Sequence, residues 1–142
     1  MLVRCLYASR SVKPLDASVL DAILAQCLRK NPSLGITGLL CCTDELFVQL
    51  IEGGRDAVCE LYNTIVRDVR HRDVRLLAYQ EISERRFANW SMGQVNFRDI
   101  NPALLLKYSE KAVLDPFAAP GSATLSLLEE LIAIGAIASR VG

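Results

Sequence analysis

The sequence predicts a single α+β domain, and three features of its 142 residues support that prediction. Strand-type and helix-type segments alternate in the order β-α-β-β-α-β-β. One segment, residues 45–52, has apolar residues at both its odd and its even positions, which is typical of a strand covered on both faces. A strongly apolar segment, residues 124–139, follows the last strand and can supply the second cover. The order therefore predicts a ferredoxin-like sheet with two helices on one face and C-terminal helices on the other.

The chain begins with a predicted strand and helix. Residues 2–9 alternate with the two-residue period of a strand. The apolar residues of segment 17–30 recur at i, i+4, which predicts an amphipathic helix with Asp16 as its N-cap. We expect this helix to end at Asn31-Pro32, because a proline pushes the residue before it out of the helical region.

A hairpin and a second helix follow. Residues 35–42 and 45–52 are two apolar runs joined at Thr43-Asp44, which predicts two antiparallel strands and a short turn. Gly53-Gly54 ends the second run. A helix is expected from about residue 56 to 68, with its apolar stripe facing the sheet.

The remaining core consists of two predicted strands, residues 74–82 and 91–98. Beyond them, Asn101-Pro102 is a suitable start for a short helix, since proline is favoured at the first helical position. A Pro/Gly/Ala-rich stretch, residues 115–122, is expected to be a linker before the helix at 124–139. That last helix is interpreted as a cover for the sheet or as a partner-binding helix.

Composition and charge argue against several classes of protein. The chain has 16 basic and 16 acidic residues, so its zero net charge offers no electrostatic case for binding nucleic acid or an anionic membrane. No apolar segment reaches the roughly 20 residues that span a bilayer, and the N-terminus lacks the pattern of a signal peptide. We expect a soluble cytoplasmic protein.

The cysteines and the histidine give no basis for disulfides or a metal site. The five cysteines form no Cys-x-x-Cys motif, and His71 is the single histidine. We expect no bound metal. The cysteines are interpreted as small buried side chains in a reducing compartment; they are Cys5, Cys27, Cys41, Cys42 and Cys59.

Gln49 is the polar residue that stands out, because it lies in the middle of the doubly apolar strand. A buried amide must be hydrogen-bonded or it costs roughly 1–3 kcal/mol. The backbone of a strand is already paired within the sheet, so Gln49 needs another side chain or a ligand. Buried amides usually find a neighbouring tyrosine or threonine, and Gln49 alone does not distinguish the two explanations.

Four polar residues converge in the predicted fold, although no enzyme motif is present. The sequence has no nucleophile elbow, no phosphate-binding glycine loop and no paired carboxylates on a strand, so an ordinary enzyme is not expected. Tyr7 and Gln49 lie on the two inner strands, while Asn31 and Asp68 lie near the ends of the two helices. A flat heteroaromatic ligand between the helices could contact all four. Individually, each residue also has a purely structural explanation.

Five sequence blocks, in this order and spacing, resemble the family of blue-light sensors using flavin, the BLUF domain. The resemblance covers residues 2 to about 98. The blocks are Tyr7-x-Ser9; Asn31 followed by Ile36-Thr37-Gly38-Leu39-Leu40; Phe47-x-Gln49-x-x-Glu52-Gly53; Asp68-x-Arg70-His71; and Arg85-Arg86-Phe87-x-x-Trp90-Ser91-Met92.

The resemblance implies a sensor that holds FAD non-covalently between the two helices. Tyr7 would be the electron and proton donor to the excited flavin, and Gln49 the relay between the phenol and flavin N5/O4. Asn31 would bind the C4=O/N3 edge. Asp68 and His71 would line the N1/O2 and ribityl side.

The same resemblance assigns three further residues. Trp90 and Met92 would lie on a mobile edge strand that reports the light state, and Ser9 would support the residues that contact the flavin. Two positions depart from the family pattern: Lys30 stands where asparagine or histidine is common, and Thr64 stands where some members have an arginine.

The resulting expectation is a photoreceptor without catalytic output of its own. Residues 1–98 would form the flavin-binding sensor domain, and residues 99–142 a C-terminal helical extension packed on the sheet or on a partner subunit. An unidentified downstream protein would receive the signal, and a homo-oligomer is expected. The alternatives are a small enzyme on the same fold, resembling acylphosphatase or flavin reductase, and a light-insensitive interaction domain.

Overall fold

A computed structural model of the protein describes residues 1–90, 92–96, 99–135 and 138–139. Their element order contains the predicted β-α-β-β-α-β-β series, followed by two helices and a short strand. The elements are β1 (Leu2–Ser11), α1 (Ala17–Leu34), β2 (Thr37–Cys42), β3 (Leu46–Gly54), α2 (Arg55–Arg67), β4 (His71–Ile82), β5 (Gly93–Asn96), α3 (Pro102–Tyr108), α4 (Gly121–Ala133) and β6 (Ala138–Ser139).

The described strands form one mixed sheet in the order β4-β1-β3-β2-β5-β6. β1 is antiparallel to both β3 and β4, and β2 is antiparallel to β3 but parallel to β5. β1 and β3 therefore lie side by side in the interior of the sheet, as predicted. The α+β ferredoxin-like fold is confirmed.

The sheet separates two apolar cores. On one face, residues of β1, β2 and β3 pack against Ile23 and Leu24 of α1 and Val58 of α2. On the other face, the alternate residues of the same strands pack against α3 and α4. This division explains why β3 is apolar at both parities and confirms that the C-terminal helices cover the second face.

Three leucines hold α4 against the sheet. Leu127, Leu128 and Leu131 are all at most 2% exposed and belong to the same core as Leu6 and Leu50. Full burial of a leucine side chain contributes about 2 kcal/mol. The apolar side of α4 is thus covered within the chain.

The end of α1 differs from the prediction. Pro32 lies inside the helix, which continues to Leu34 and ends at Gly35 in the left-handed conformation. A proline at this point removes the backbone donor that would bond the carbonyl four residues earlier, so the last turn needs another source of stability. The Gly35 backbone N–H donates to the carbonyl groups of Asn31 and Pro32, so the cap stabilises the additional turn.

The C-terminal prediction was wrong in two respects. The helix expected at 124–139 begins earlier, at Gly121, and ends at Ala133, where Gly135 follows with a φ of 72°. Residues 138–139 form β6, which pairs with β5, so the extension contributes a strand as well as helices. Residues 136–137 and 140–142 lie outside the described residues.

The strand expected at residues 91–98 is also shorter in the described part. β5 covers Gly93–Asn96, so Trp90 and Met92 precede the strand and do not lie on it. β5 has neighbours on both sides and is not an edge strand, contrary to the prediction. Residues 91, 97 and 98 lie outside the described residues.

Two smaller observations complete the fold. No helix in the described ranges is long and apolar enough to cross a membrane. The cysteines are free thiols, and Cys5, Cys41 and Cys42 are buried as expected, whereas Cys27 is half-buried and Cys59 is exposed.

Gly38 provides a test of this packing. A Cβ atom at this position would lie 1.9 Å from the backbone oxygen of Leu50, and a backbone neighbour cannot swing aside. We therefore expect Gly38→Ala to lower the free energy of unfolding by about 3 kcal/mol or more, as measured by urea denaturation. Gly54→Ala is the control, since a Cβ there meets nothing within 4 Å. Equal stability of the two variants would contradict the close approach of β2 and β3.

Candidate functional site

Tyr7 and Gln49 form a hydrogen-bonded pair at the centre of the sheet. They lie directly opposite each other on β1 and β3, and both side chains point to the face covered by α1 and α2. The Tyr7 hydroxyl donates to Gln49 Oε1, and Gln49 Nε2 donates to Met92 Sδ at 3.5 Å. The buried amide is therefore satisfied by two side chains, one of them a tyrosine.

A cleft between α1 and α2 opens above this pair. Its cavity volume is about 90 Å³, and the cleft opens to solvent at its mouth. Its apolar walls include Ile23, Leu40, Phe47, Leu61 and Ile65. Its polar side chains include Tyr7, Asn31, Gln49, Asp68, Arg70 and His71. The structure thus brings the four converging residues and His71 to one place.

Asn31 and Asp68 are positioned by the ends of the two helices. Asn31 lies in the last turn of α1 and is 2% exposed, so its amide is held among packed side chains. Asp68 is the C-cap of α2, and its backbone N–H donates to the carbonyl of Ile65. The two helix ends therefore place an amide and a carboxylate on opposite walls of the cleft.

Arg70 is a cleft residue to which sequence reasoning gave no role, although it stands within the quoted Asp68-x-Arg70-His71 block. Its Nη2 lies 2.6 Å from Asp68 Oδ2 and 3.5 Å from Gln26 Oε1, a residue of α1. Hydrogen bonding to Arg70 lowers the pKa of Asp68, and the carboxylate raises the pKa of Arg70. Arg70 therefore bridges the mouth of the cleft. In the sequence, the spacing of two residues between Asp68 and Arg70 could have indicated this ion pair.

His71 and Ser9 form a second pair beside the cleft. A hydrogen bond of 2.8 Å joins Ser9 Oγ and His71 Nδ1, and the His71 ring lies 4.6 Å from the Phe47 ring, centre to centre. Burial lowers the pKa of His71, while Asp68 opposes that shift. His71 lines the cleft, and Ser9 lies behind it, fully buried.

The Tyr7 phenol is held in its protonated form. Burial raises the pKa of Tyr7 well above its usual range, with smaller contributions from Cys27, Cys5 and Asp68. The side chain is 1% exposed, and its ring meets the Tyr62 ring edge-on at 5.8 Å. Deprotonation alone would leave an isolated charge in an apolar place, so the phenol can give up its proton only with an electron.

Trp90 and Met92 lie on opposite faces of the sheet. Met92 is 1% exposed and packs in the α1/α2 core beside Gln49. Trp90 packs against the α3/α4 core, and its carbonyl accepts a hydrogen bond of 3.0 Å from the Gly38 backbone. The structure therefore brings Met92 to the Tyr7–Gln49 pair and places Trp90 away from it.

The side chains of the cleft fit a flat heteroaromatic ligand with a polar edge. Aliphatic and aromatic walls can cover the two faces of a ring system, and amide, carboxylate and guanidinium groups can pair with its ring nitrogens and carbonyls. In the part of the chain that the structure describes, no group of three or more His, Cys, Asp and Glu side chains is placed to hold a metal ion.

Comparison with known proteins decides the family. The family model described as BLUF, sensors of blue-light using FAD, matches residues 2–93. The chain is a BLUF protein. The match gives no support to the small-enzyme alternatives.

Solved BLUF structures share the fold. BlsA in its photo-activated state superposes with a TM-score of 0.83 at 29% identity and covers 100% of this chain and 99% of BlsA. The dark state of BlrB, titled a BLUF protein, gives a TM-score of 0.76 at 32% identity and covers 94% of this chain and 96% of BlrB.

A curated relative is much longer. The photoactivated adenylate cyclase subunit beta of Euglena longa is 39% identical over 87 residues, which are 61% of this chain and 10% of that protein. The match therefore covers only a small part of the relative's length.

His71 predicts a pH dependence of stability. Because the folded pKa is below the unfolded one, protonation favours the unfolded chain, and stability falls as the pH drops through the unfolded value of about 6.5. We expect urea unfolding of the flavin-free protein to show this loss between pH 7.5 and 5.5. His71→Gln should remove that component of the slope. An unchanged slope in the variant would show that His71 does not titrate as a buried group.

Proposed function

We propose that the protein is a blue-light photoreceptor that holds FAD non-covalently in the α1/α2 cleft and signals through the Tyr7–Gln49–Met92 hydrogen-bond chain. The observation that supports this proposal most strongly is the hydrogen-bond chain. It runs from a buried phenol through an amide to the segment before β5, and two of its members line the cleft. The family description names FAD.

The cleft residues divide the tasks of binding. Asn31 would pair with the C4=O/N3 edge of the ring through its amide, which can both donate and accept. Asp68 and His71 would lie on the N1/O2 and ribityl side, with Arg70 holding the Asp68 carboxylate in place. Ser9 fixes His71 by its hydrogen bond. Bound flavin supplies a blue-light-absorbing electron acceptor.

The pair on β1 and β3 is arranged for a coupled electron and proton loss. A phenol that loses an electron becomes strongly acidic, and the Tyr7 hydroxyl proton already points to Gln49 Oε1. Proton movement along this bond leaves no isolated charge on the buried ring. The amide then rotates or tautomerises and exchanges its hydrogen-bond partners, which gives the two stable states of a switch.

Substitution of the pair tests this proposal. Tyr7→Phe removes the hydroxyl and Gln49→Leu removes the amide, while the cleft walls keep their shape. We expect both variants to bind flavin and stay yellow but to lose the light-induced red shift of the flavin absorption, measured by difference spectroscopy under blue light.

Tyr62→Phe is the matched control for Tyr7→Phe. Tyr62 is a neighbouring tyrosine that touches the Tyr7 ring edge-on but is not part of the hydrogen-bonded pair. It should keep the red shift. A persistent shift in Tyr7→Phe, or its loss in Tyr62→Phe alone, would assign the donor role elsewhere.

The output route begins at the connector, defined here as the described residues 85–90 and 92. At its start, the buried Glu52 carboxylate accepts from the backbone N–H groups of Arg86 at 3.0 Å and Phe87 at 2.7 Å. At its end, Met92 Sδ accepts from Gln49. A rearrangement of Gln49 would therefore act on a segment whose other end is fixed on the opposite face.

The connector also contacts α4. Phe87 is fully buried in the core that contains Leu127 and Leu128, and the Arg86 guanidinium pairs with Glu129 at 2.5 Å. We infer that light changes the position of α4 through these contacts. On this route, Met92 would receive the change from Gln49 on the α1/α2 face, and Trp90 would contact the core on the α3/α4 face.

The receiver is proposed to be a separate protein in the cytoplasm. The matched region is a small part of the much longer photoactivated adenylate cyclase subunit. We propose that this chain acts on an effector protein through its α3/α4 side and that it does so as a homo-oligomer.

A single ion pair tests the α4 route. Glu129→Gln removes the charge that pairs with Arg86, and Glu130→Gln is the control, because Glu130 pairs with Lys107 of α3 at 2.9 Å. We expect Glu129→Gln to keep the red shift and to reduce the light-minus-dark difference in hydrogen exchange of α4. The control should keep both. An equal difference in Glu129→Gln and the unaltered protein would contradict the route.

A further inference from the structure

Lys30 lines the cleft but has no part in the proposed flavin contacts or in the hydrogen-bond chain. It lies on α1 directly before Asn31 and lines the cleft, with its side chain exposed at the mouth. Within the described ranges, its ammonium group has neither an ion pair nor a hydrogen bond to a side chain. A flexible, uncompensated cation at the rim of a ligand cleft is suited to an anionic part of the ligand.

The other charges of the cleft are already paired. Asp68 and Arg70 hold each other through bonds from Arg70 Nε at 3.1 Å and Nη2 at 2.6 Å. Burial keeps His71 towards its neutral form by lowering its pKa. Lys30 is therefore the source of the net positive charge among the lining residues.

Because of the charge at the two helix ends, an anionic ligand group can bind at the cleft mouth only beside a cation. The cleft is lined by the C-terminal halves of α1 and α2, and a helix C-terminus carries a partial negative charge. α1 has no basic residue in its last turn. An anionic group at the mouth would be repelled by both helix ends, so it needs a nearby cation such as Lys30.

We propose that Lys30 binds the 5′-phosphate at the end of the ribityl chain, the group that FMN and FAD share and riboflavin lacks. The inference rests on the proposed flavin site. It assigns ring recognition to the buried residues of the cleft and phosphate recognition to an exposed residue at its mouth. Lys30 thus selects phosphorylated flavins without touching the Tyr7–Gln49 pair.

The test compares three flavins on the full-length protein stripped of its flavin. Riboflavin, FMN and FAD are titrated by fluorescence quenching at low and high salt, with the unaltered protein, Lys30→Met and Lys30→Arg. We expect Lys30→Met to bind FMN and FAD about threefold more weakly at low salt, as for an exposed ion pair, and riboflavin unchanged. Added salt should remove this difference, and Lys30→Arg should retain the affinity.

Arg29→Met is the matched control. Arg29 has the same charge, is exposed on the same helix and does not line the cleft. It should leave the affinity for all three flavins unchanged. An equal loss for riboflavin in Lys30→Met would mean that Lys30 contacts the ring, and an equal loss for FMN in Arg29→Met would mean a general charge effect. Either result, or no loss at all, overturns the inference. Failure of the unaltered protein to bind any of the three flavins would overturn the flavin site itself.

Discussion

The structure depends on one constraint: β3 is buried on both faces, so each polar side chain it carries must be hydrogen-bonded inside the protein. Two such residues lie on it, Gln49 on the cleft face and Glu52 on the α3/α4 face. Glu52 is also bound by Arg4 of β1, whose Nη2 lies 2.7 Å from its carboxylate. Removing one partner of a buried ion pair typically costs 3–5 kcal/mol. β3 therefore holds in place the groups that are hydrogen-bonded to Gln49 and Glu52.

Besides their partners on β1, one short segment contacts both of them. Gln49 meets Met92 on one face, while Glu52 holds the backbone N–H of Phe87 on the other. The connector passes from one face to the other between these two points. Because it is tied at both ends to the same strand, a change at Gln49 cannot be absorbed by a loose loop. On the proposed route, the buried carboxylate would hold one end of the connector, and the thioether contact would be the end that changes.

Periodicity predicted most of the fold, since the two-residue and 3.6-residue repeats specify which faces are apolar. It failed at two places. The local Gly35 cap holds α1 helical through Pro32, and the segment at 124–139 divides into a helix and a strand that pairs with β5. The cleft residues were predictable because strand register and helix ends bring them together. The contact from Arg70 to α1 was not, because it depends on Gln26, a residue 44 positions away. The face of Trp90 depends equally on packing.

The hydrogen-bond inventory indicates how such a site can have two states. Among the described residues, no buried side-chain nitrogen or oxygen lacks a partner, so any rearrangement of Gln49 must break a bond that is already made. The two bonds of its amide are unequal. A thioether sulfur is a weak acceptor, whereas a phenol and an amide oxygen form a strong bond. The Met92 contact is therefore the cheaper one to lose. An amide that turns away from it gives up little energy if its N–H finds an oxygen in the cleft, and Met92 then has no bond to β3. From this asymmetry between the two partners of one buried side chain, we infer that the segment before β5 would be the part that moves.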